Sequence, residues 1–266
     1  MANWVELRAK SFYSFGEGAS HAHELLAQAK QLGYPALALT DTNLCGALEF
    51  ARLAKSLGVR PITGGELTLT DGSRIALLAQ TRAGYSNISR LFTIANASDR
   101  RNPMLNPSEL PDHSEGVVLL TGGRDGPLSR LAVADRMGEA HSLLRQYLDW
   151  YGPDSVCVEL QQNFLAGDTD RNRKLVRIAD EAGVQVVATN DVHYHTPDRA
   201  RLQHALVAAK LNITIDQALP HLRPNSHLHL KSPAKMQQLF QDCPQAVSNT
   251  LRVAERCSFD LSTDLG

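Results

Sequence analysis

Asp191-Val192-His193 follows the apolar run Val184-Gln185-Val186-Val187-Ala188-Thr189. A short apolar run after a helical pattern and a glycine reads as a buried strand. A carboxylate and an imidazole two residues apart, at the carboxyl end of a strand, project to the same side. That spacing suits a pair of metal ligands. In α/β proteins the carboxyl ends of strands are where sites are built. A two-residue pattern alone establishes no site, so the question is which other strands deliver partners.

The elements that would position such partners alternate along the chain. Trp4 to Ala9, Ala36 to Thr40, Pro61 to Leu69, Arg74 to Ala79, Gly116 to Thr121, Ser155 to Leu160 and residues 184–189 read as strands. Asp71-Gly72 supplies a tight turn between the third and fourth. Helices are expected over His21 to Leu32, with Ser20 as N-cap and Gly33 as stop. Further helices are expected over Gly46 to Leu57, over Gly84 to Ala97, near 126–133 and 138–151, and over 169–182. Ser98 to Glu115 is polar and proline-bearing and reads as a surface loop. From 197 the pattern is mostly helical, with a short extended piece near 226–230. Repeated β–α alternation with about seven strands predicts an α/β fold, a barrel with helices outside. No internal repeat or linker appears, so a single domain over 1–266 is the simplest organisation, with a barrel over about 1–196 and a helical closing segment over about 197–266.

In a barrel the strand ends converge. They carry Arg8 and Lys10, then Glu17 in the next loop, Asp41, Glu66, Arg124, and Asp191 with His193. Glu17 and Asp41 could equally be loop or helix-cap residues. Arg8 and Lys10 could be one solvated edge. Glu66, in Gly64-Gly65-Glu66-Leu67, is harder to dismiss, because an acid at a strand end needs a partner. His227-Leu228-His229 lies in the late segment, away from the expected strand ends, and carries little weight as a metal site.

Composition narrows the function classes. The chain has 266 residues, 43% of them hydrophobic, and a formal net charge of −1. That balance is not the footprint of a stand-alone nucleic-acid binder. No run of 18 apolar residues exists, so no membrane partner is expected. No secretion signal is visible, and the four cysteines are scattered, which points to reduced thiols and a cytoplasmic protein.

Several blocks, in order, resemble the PHP (polymerase and histidinol phosphatase) family. They are Glu6 to Ser20, Ala36 to Gly46, Gly64 to Leu67, Leu77 to Ile88, Leu119 to Arg124 and Val186 to Tyr194, with Pro233 to Cys257 similar to a closing helical stretch. The chain is most similar to the PHP domain at the N-terminus of bacterial C-family DNA polymerases, the replicative alpha subunit and its error-prone relatives. The resemblance implies a distorted, TIM-like (β/α)7 barrel with a helical C-terminal extension. It also implies, in active members, a metal cluster that hydrolyses phosphoesters by polarising the phosphate and acidifying a bound water.

This chain departs from that pattern. The family's opening His-x-His falls on Arg8 and Lys10, the histidine of Thr-Asp-His falls on Thr42, and other ligand positions fall on Arg74 and Gly123. Glu17, Glu66, Asp191 and His193 remain as residual ligand candidates. Asp41 would support them from behind, and Arg124 is a candidate for binding phosphate. Protonated arginine and lysine cannot ligate a metal. The expectation is therefore that Arg8 or Lys10 pairs with Glu66 or Asp191.

Three functions follow as expectations. The first is a catalytically degenerate PHP domain acting as a scaffold, with no cofactor and no catalytic residue. Its partners would be the remainder of a DNA polymerase chain and a proofreading exonuclease subunit, with DNA reached only through the larger assembly. The end of the chain near where a polymerase palm would begin suggests a fragment, with any nucleotidyltransferase residues beyond Gly266. The second is a phosphoesterase, a phosphatase or 3′–5′ exonuclease, with zinc or manganese in a reduced site. The third is a binding module for a nucleotide or phosphate held by Arg8, Lys10 and Arg124.

Overall fold

The computed structural model describes residues 4–265. Among them, seven strands form one sheet in sequence order: β1 (Glu6–Ala9), β2 (Ala36–Leu39), β3 (Arg60–Thr68), β4 (Arg74–Ala79), β5 (Val117–Leu120), β6 (Val156–Gln161) and β7 (Val186–Thr189). Pairing is parallel except at β4, which the Asp71-Gly72 turn reverses against both neighbours. Beyond β7 the chain returns to β1. Lys10 N donates to Val192 O (2.8 Å) and Val192 N donates to Arg8 O (2.9 Å). These bonds nearly close the sheet into a barrel.

Helices cover the outside. They are α1 (Ala22–Gln31), α2 (Ala47–Leu57), α3 (Arg82–Ser98), α4 (Pro127–Val133), α5 (Met137–Tyr151) and α6 (Asp168–Ala182). Leu25, Phe50, Leu91, Leu144 and Ile178 pack against the outward strand residues Leu37, Leu77, Leu119 and Val158. After β7 come α7 (Ala200–Leu211), α8 (Ile215–Ala218), α9 (Pro233–Leu239) and α10 (Pro244–Arg256). No helix among the described residues is long and apolar enough to cross a membrane.

Inside the barrel, residues two apart on each strand share the lumen. Val5, Leu7, Ile62, Ala76, Leu78, Val118, Leu120, Cys157 and Val187 form an apolar lower layer, closed by Val253, Ala254 and Cys257 around α10. One register shift matters for the site. It lies in β1 between Glu6 and Ala9. Before it, odd-numbered Val5 and Leu7 face the lumen; after it, Arg8 does, as a bulge re-aims a strand's side chains.

Several local expectations need correction. The N-cap of α1 is His21, whose N–H donates to Glu24 Oε2 (2.9 Å). Ser20 is instead tied to His195, accepting from its backbone N–H (3.0 Å). α3 begins two residues earlier than expected, because Thr81 Oγ1 accepts from Gly84 N and caps it. Within 98–115 there are two 3-10 turns, Pro107–Glu109 and Pro111–His113, and Leu105 and Leu110 are fully buried, so apolar anchors hold much of this segment on the barrel.

Candidate functional site

Arg8 lies at the centre of the upper lumen, 2% exposed. Its two terminal nitrogens reach acids on two other strands. Nη2 pairs with Glu66 on β3, and Nη1 donates to both oxygens of Glu159 on β6 (2.8 and 3.0 Å). Nε lies 3.3 Å from Asp191 Oδ1, past the end of β7. Lys10, 1% exposed, places Nζ 2.9 Å from Glu17, 3.1 Å from Glu66 and 3.4 Å from Asp191. Arg74 enters from the reversed β4, its Nη1 2.8 Å from Glu17 and 3.0 Å from Glu66. Three cations thus interlock with four carboxylates.

Burying these ions is tolerable only because each is paired and hydrogen-bonded. Burial opposes ionisation of Asp191, yet Lys10 and Arg8 hold its pKa well below the ordinary carboxylate range. Glu17 is likewise held well down against burial by Lys10 and Arg74, and Glu66 is lowered by Arg8, Lys10 and Arg74. The same acids raise Lys10 and Arg8 against the burial that would lower them. His193 is 3.3 Å from Asp191 Oδ2, but burial and Lys10 lower its pKa, so the imidazole is neutral at pH 7. Asp191 has φ +48°, a left-handed conformation that aims its carboxylate back at β1.

The structure brings Glu17, Glu66, Asp191 and His193 together with Arg8, Lys10 and Arg74. It leaves others outside. Asp41 accepts from Ser11 N (2.7 Å), Ser11 Oγ (2.6 Å) and Ser14 Oγ, which fixes the 11–14 turn, and its carbonyl accepts from Glu66 N (3.0 Å). Thr42 contributes its backbone N–H to Ser14 Oγ (3.1 Å). Gly123 has φ +40°, and a Cβ there would lie 2.2 Å from Gln161 Cδ; the Gln161 side chain fills the space a ligand on Gly123 would need. Arg124 donates its Nη1 to Asp168 Oδ1 (2.9 Å), and its backbone N–H to Gln161 Oε1 (3.0 Å), so one edge of the phosphate candidate is already engaged.

Sequence reasoning missed Glu159 and Gln161. Glu159, fully buried, also accepts from Gly122 N (3.1 Å), from Gln161 Nε2 (2.8 Å) and from Thr189 Oγ1. A lone acid within Val156-Cys157-Val158-Glu159-Leu160 was the available signal. The late segment was also misplaced. Asn190 Nδ2 donates to the carbonyls of His227 (2.9 Å) and His229 (2.7 Å), and Lys231 Nζ donates to Asn190 Oδ1 (2.7 Å). The 226–231 strap therefore lies against the end of β7. Two buried groups accompany it: burial pushes Glu6 up to about 8 and lowers Lys231 to about 7.

The residual ligands do not fit a metal in this arrangement. Their oxygens face ammonium and guanidinium groups, and a dication among them would meet three fixed positive charges. Among the described residues, no group of three or more His, Cys, Asp and Glu side chains is arranged to hold a metal ion.

Residues 6–163 match the PHP domain family, and the chain belongs to it. Over 98% of its length it is 35% identical to an error-prone DNA polymerase of Symbiobacterium thermophilum, and over 96% it is 35% identical to DNA polymerase III subunit alpha of Caulobacter vibrioides. It spans only 26% and 23% of those proteins. Its fold is similar to that of a Bifidobacterium adolescentis protein assigned as a metal-dependent phosphoesterase, with a TM-score of 0.52 and 15% identity over 71% of this chain and 87% of that one.

Proposed function

We propose that this chain is the PHP region of a C-family DNA polymerase, and that it works as a scaffold in which ion pairs have replaced a hydrolytic metal centre. One observation carries the reading: Arg8, where the family places a metal-binding histidine, is bonded to Glu66 and Glu159 and touches Asp191. A guanidinium joins those three strand ends as a multivalent cation would, and it cannot activate water. The length of the polymerase relatives supports a place within a longer chain. The remainder of that chain and a separate proofreading exonuclease subunit are the partners this reading proposes. A net charge of −1 agrees with DNA being handled by the larger assembly, in the cytoplasm.

The competing reading is a phosphoesterase with zinc or manganese on Glu17, Glu66, Asp191 and His193. Incubation with each metal, a phosphomonoester and single-stranded DNA separates the two. The scaffold reading expects no turnover above a denatured control. Hydrolysis abolished by Asp191→Ala would establish the enzyme instead.

A further inference from the structure

The outer wall of the barrel carries a cavity of about 270 Å³, between α6 and the turn that joins α9 to α10. Leu160 lines it from β6, facing outward, while Glu159 and Gln161 on either side bond to each other in the lumen. Val176 on α6, with Leu239 and Phe240 at the end of α9, completes an apolar floor. The cavity is preformed. Asn172 Nδ2 donates to Gln161 O (3.1 Å) and to Gln162 Oε1 (3.2 Å), which fastens the α6 side to the end of β6. On the other side Phe240 N donates to Met236 O (3.1 Å) and Cys243 N donates to Phe240 O (2.9 Å). Met236, Phe240 and Cys243 are buried, so this wall is anchored in the outer core. A site already shaped loses little entropy on binding.

Two exposed charges border this floor, Arg173 on α6 and Asp242 in the α9–α10 turn. Their neighbours on α6 are committed: Arg171 pairs with Asp168, Lys174 with Asp135 and Asp170, and Arg177 lies 3.9 Å from Glu181. Among the described residues, neither Arg173 nor Asp242 has an ion-pair or side-chain hydrogen-bond partner, and they do not pair with each other. An apolar floor between an unpaired cation and an unpaired anion is complementary to a molecule with an aliphatic body and two opposite charges. At roughly 30 Å³ per water, a cavity of 270 Å³ holds the volume of about nine waters, the bulk of a leucine with its ammonium and carboxylate.

We propose that this cavity is a receptor for a free aliphatic α-amino acid, with its carboxylate on Arg173, its ammonium on Asp242 and its side chain on the Leu160–Val176–Leu239–Phe240 floor. The cavity lies outside the lumen, so the inference is independent of how the ion pairs there are read. Titration of the isotope-labelled 266-residue chain with L-leucine, followed through its amide chemical shifts, tests it. Saturable shifts are expected at Val176, Leu239 and Phe240. Arg173→Gln and Asp242→Asn, at exposed positions, should keep the parent melting temperature and each weaken binding about tenfold. Arg177→Gln, one turn along α6, should bind as the parent does. L-alanine, which leaves the floor uncovered, should bind at least about tenfold more weakly than L-leucine. Absence of saturable shifts in the folded chain at millimolar L-leucine, or binding indifferent to both variants, would overturn the proposal. Equal binding of N-acetyl-L-leucinamide, which carries neither charge, would also overturn it and make the cavity a groove for a peptide side chain.

Discussion

The two halves of one barrel lumen are built on opposite principles. On β6, Cys157 is part of an apolar floor and Glu159, two residues on, is part of an ionic roof. The same change of character runs from Ile62 to Glu66 on β3, from Ala76 to Arg74 on the reversed β4, and from Leu7 to Arg8 across the β1 register shift. The change recurs on four strands, so neither half is an accident of one element. The floor is held by dispersion and burial, which need no partner of opposite sign. The roof is held by mutual neutralisation, so its stability depends on every member being present and correctly charged.

Removing a member should therefore expose the difference. Arg8→Ala leaves Glu66, Glu159 and Asp191 facing one another with their central cation gone. It should cost about 3–5 kcal/mol in urea denaturation at pH 7. Ile62→Ala on the floor should cost about 2–5 kcal/mol through the cavity it opens. That loss should change little with pH, because no titrating group is touched.

The roof should respond to acid where the floor does not. Glu66 has its pKa lowered in the folded protein, below the ordinary glutamate value of 4.5. The unfolded chain then binds more protons than the folded one between those two values, so stability falls as pH drops through the window. Glu66→Gln should cost about 2–3 kcal/mol at neutral pH. Its denaturation midpoint should converge on that of the parent below pH 4.5.

Smaller effects sharpen the boundary. Gly123→Ala must take a positive φ and push Gln161 aside, costing about 1–3 kcal/mol. Arg136→Ala breaks an exposed i,i+3 pair with Glu139, on the helical shell far from either half. It should leave the denaturation midpoint where it is, since exposed pairs contribute little.

Much of this arrangement was readable in the chain. Strand-length apolar runs, the Asp71-Gly72 turn and glycine stops fixed the order of elements, because local periodicity and turn chemistry are short-range signals. Arg8 and Lys10 standing where ligands were expected predicted pairing with Glu66 and Asp191, and that pairing is present. Glu159 was not found, because a lone acid in an apolar strand says nothing about what lies across a lumen. Asp41 is a strand-end acid whose carboxylate is satisfied by the next turn, Ser11 and Ser14, while its carbonyl accepts from Glu66 N. The strap over β7 was missed because Asn190 binds the carbonyls of His227 and His229, and backbone acceptors carry no side-chain signature.

The central claim is that arginine and lysine occupy the electrostatic place of a metal. Elemental analysis of the purified chain, after saturation with zinc or manganese and exchange into metal-free buffer, tests it most directly. The account predicts no stoichiometric metal in the parent protein, and uptake only when Arg8→His and Lys10→His are combined. One or more metal ions per parent chain, lost on Glu66→Gln, would contradict it.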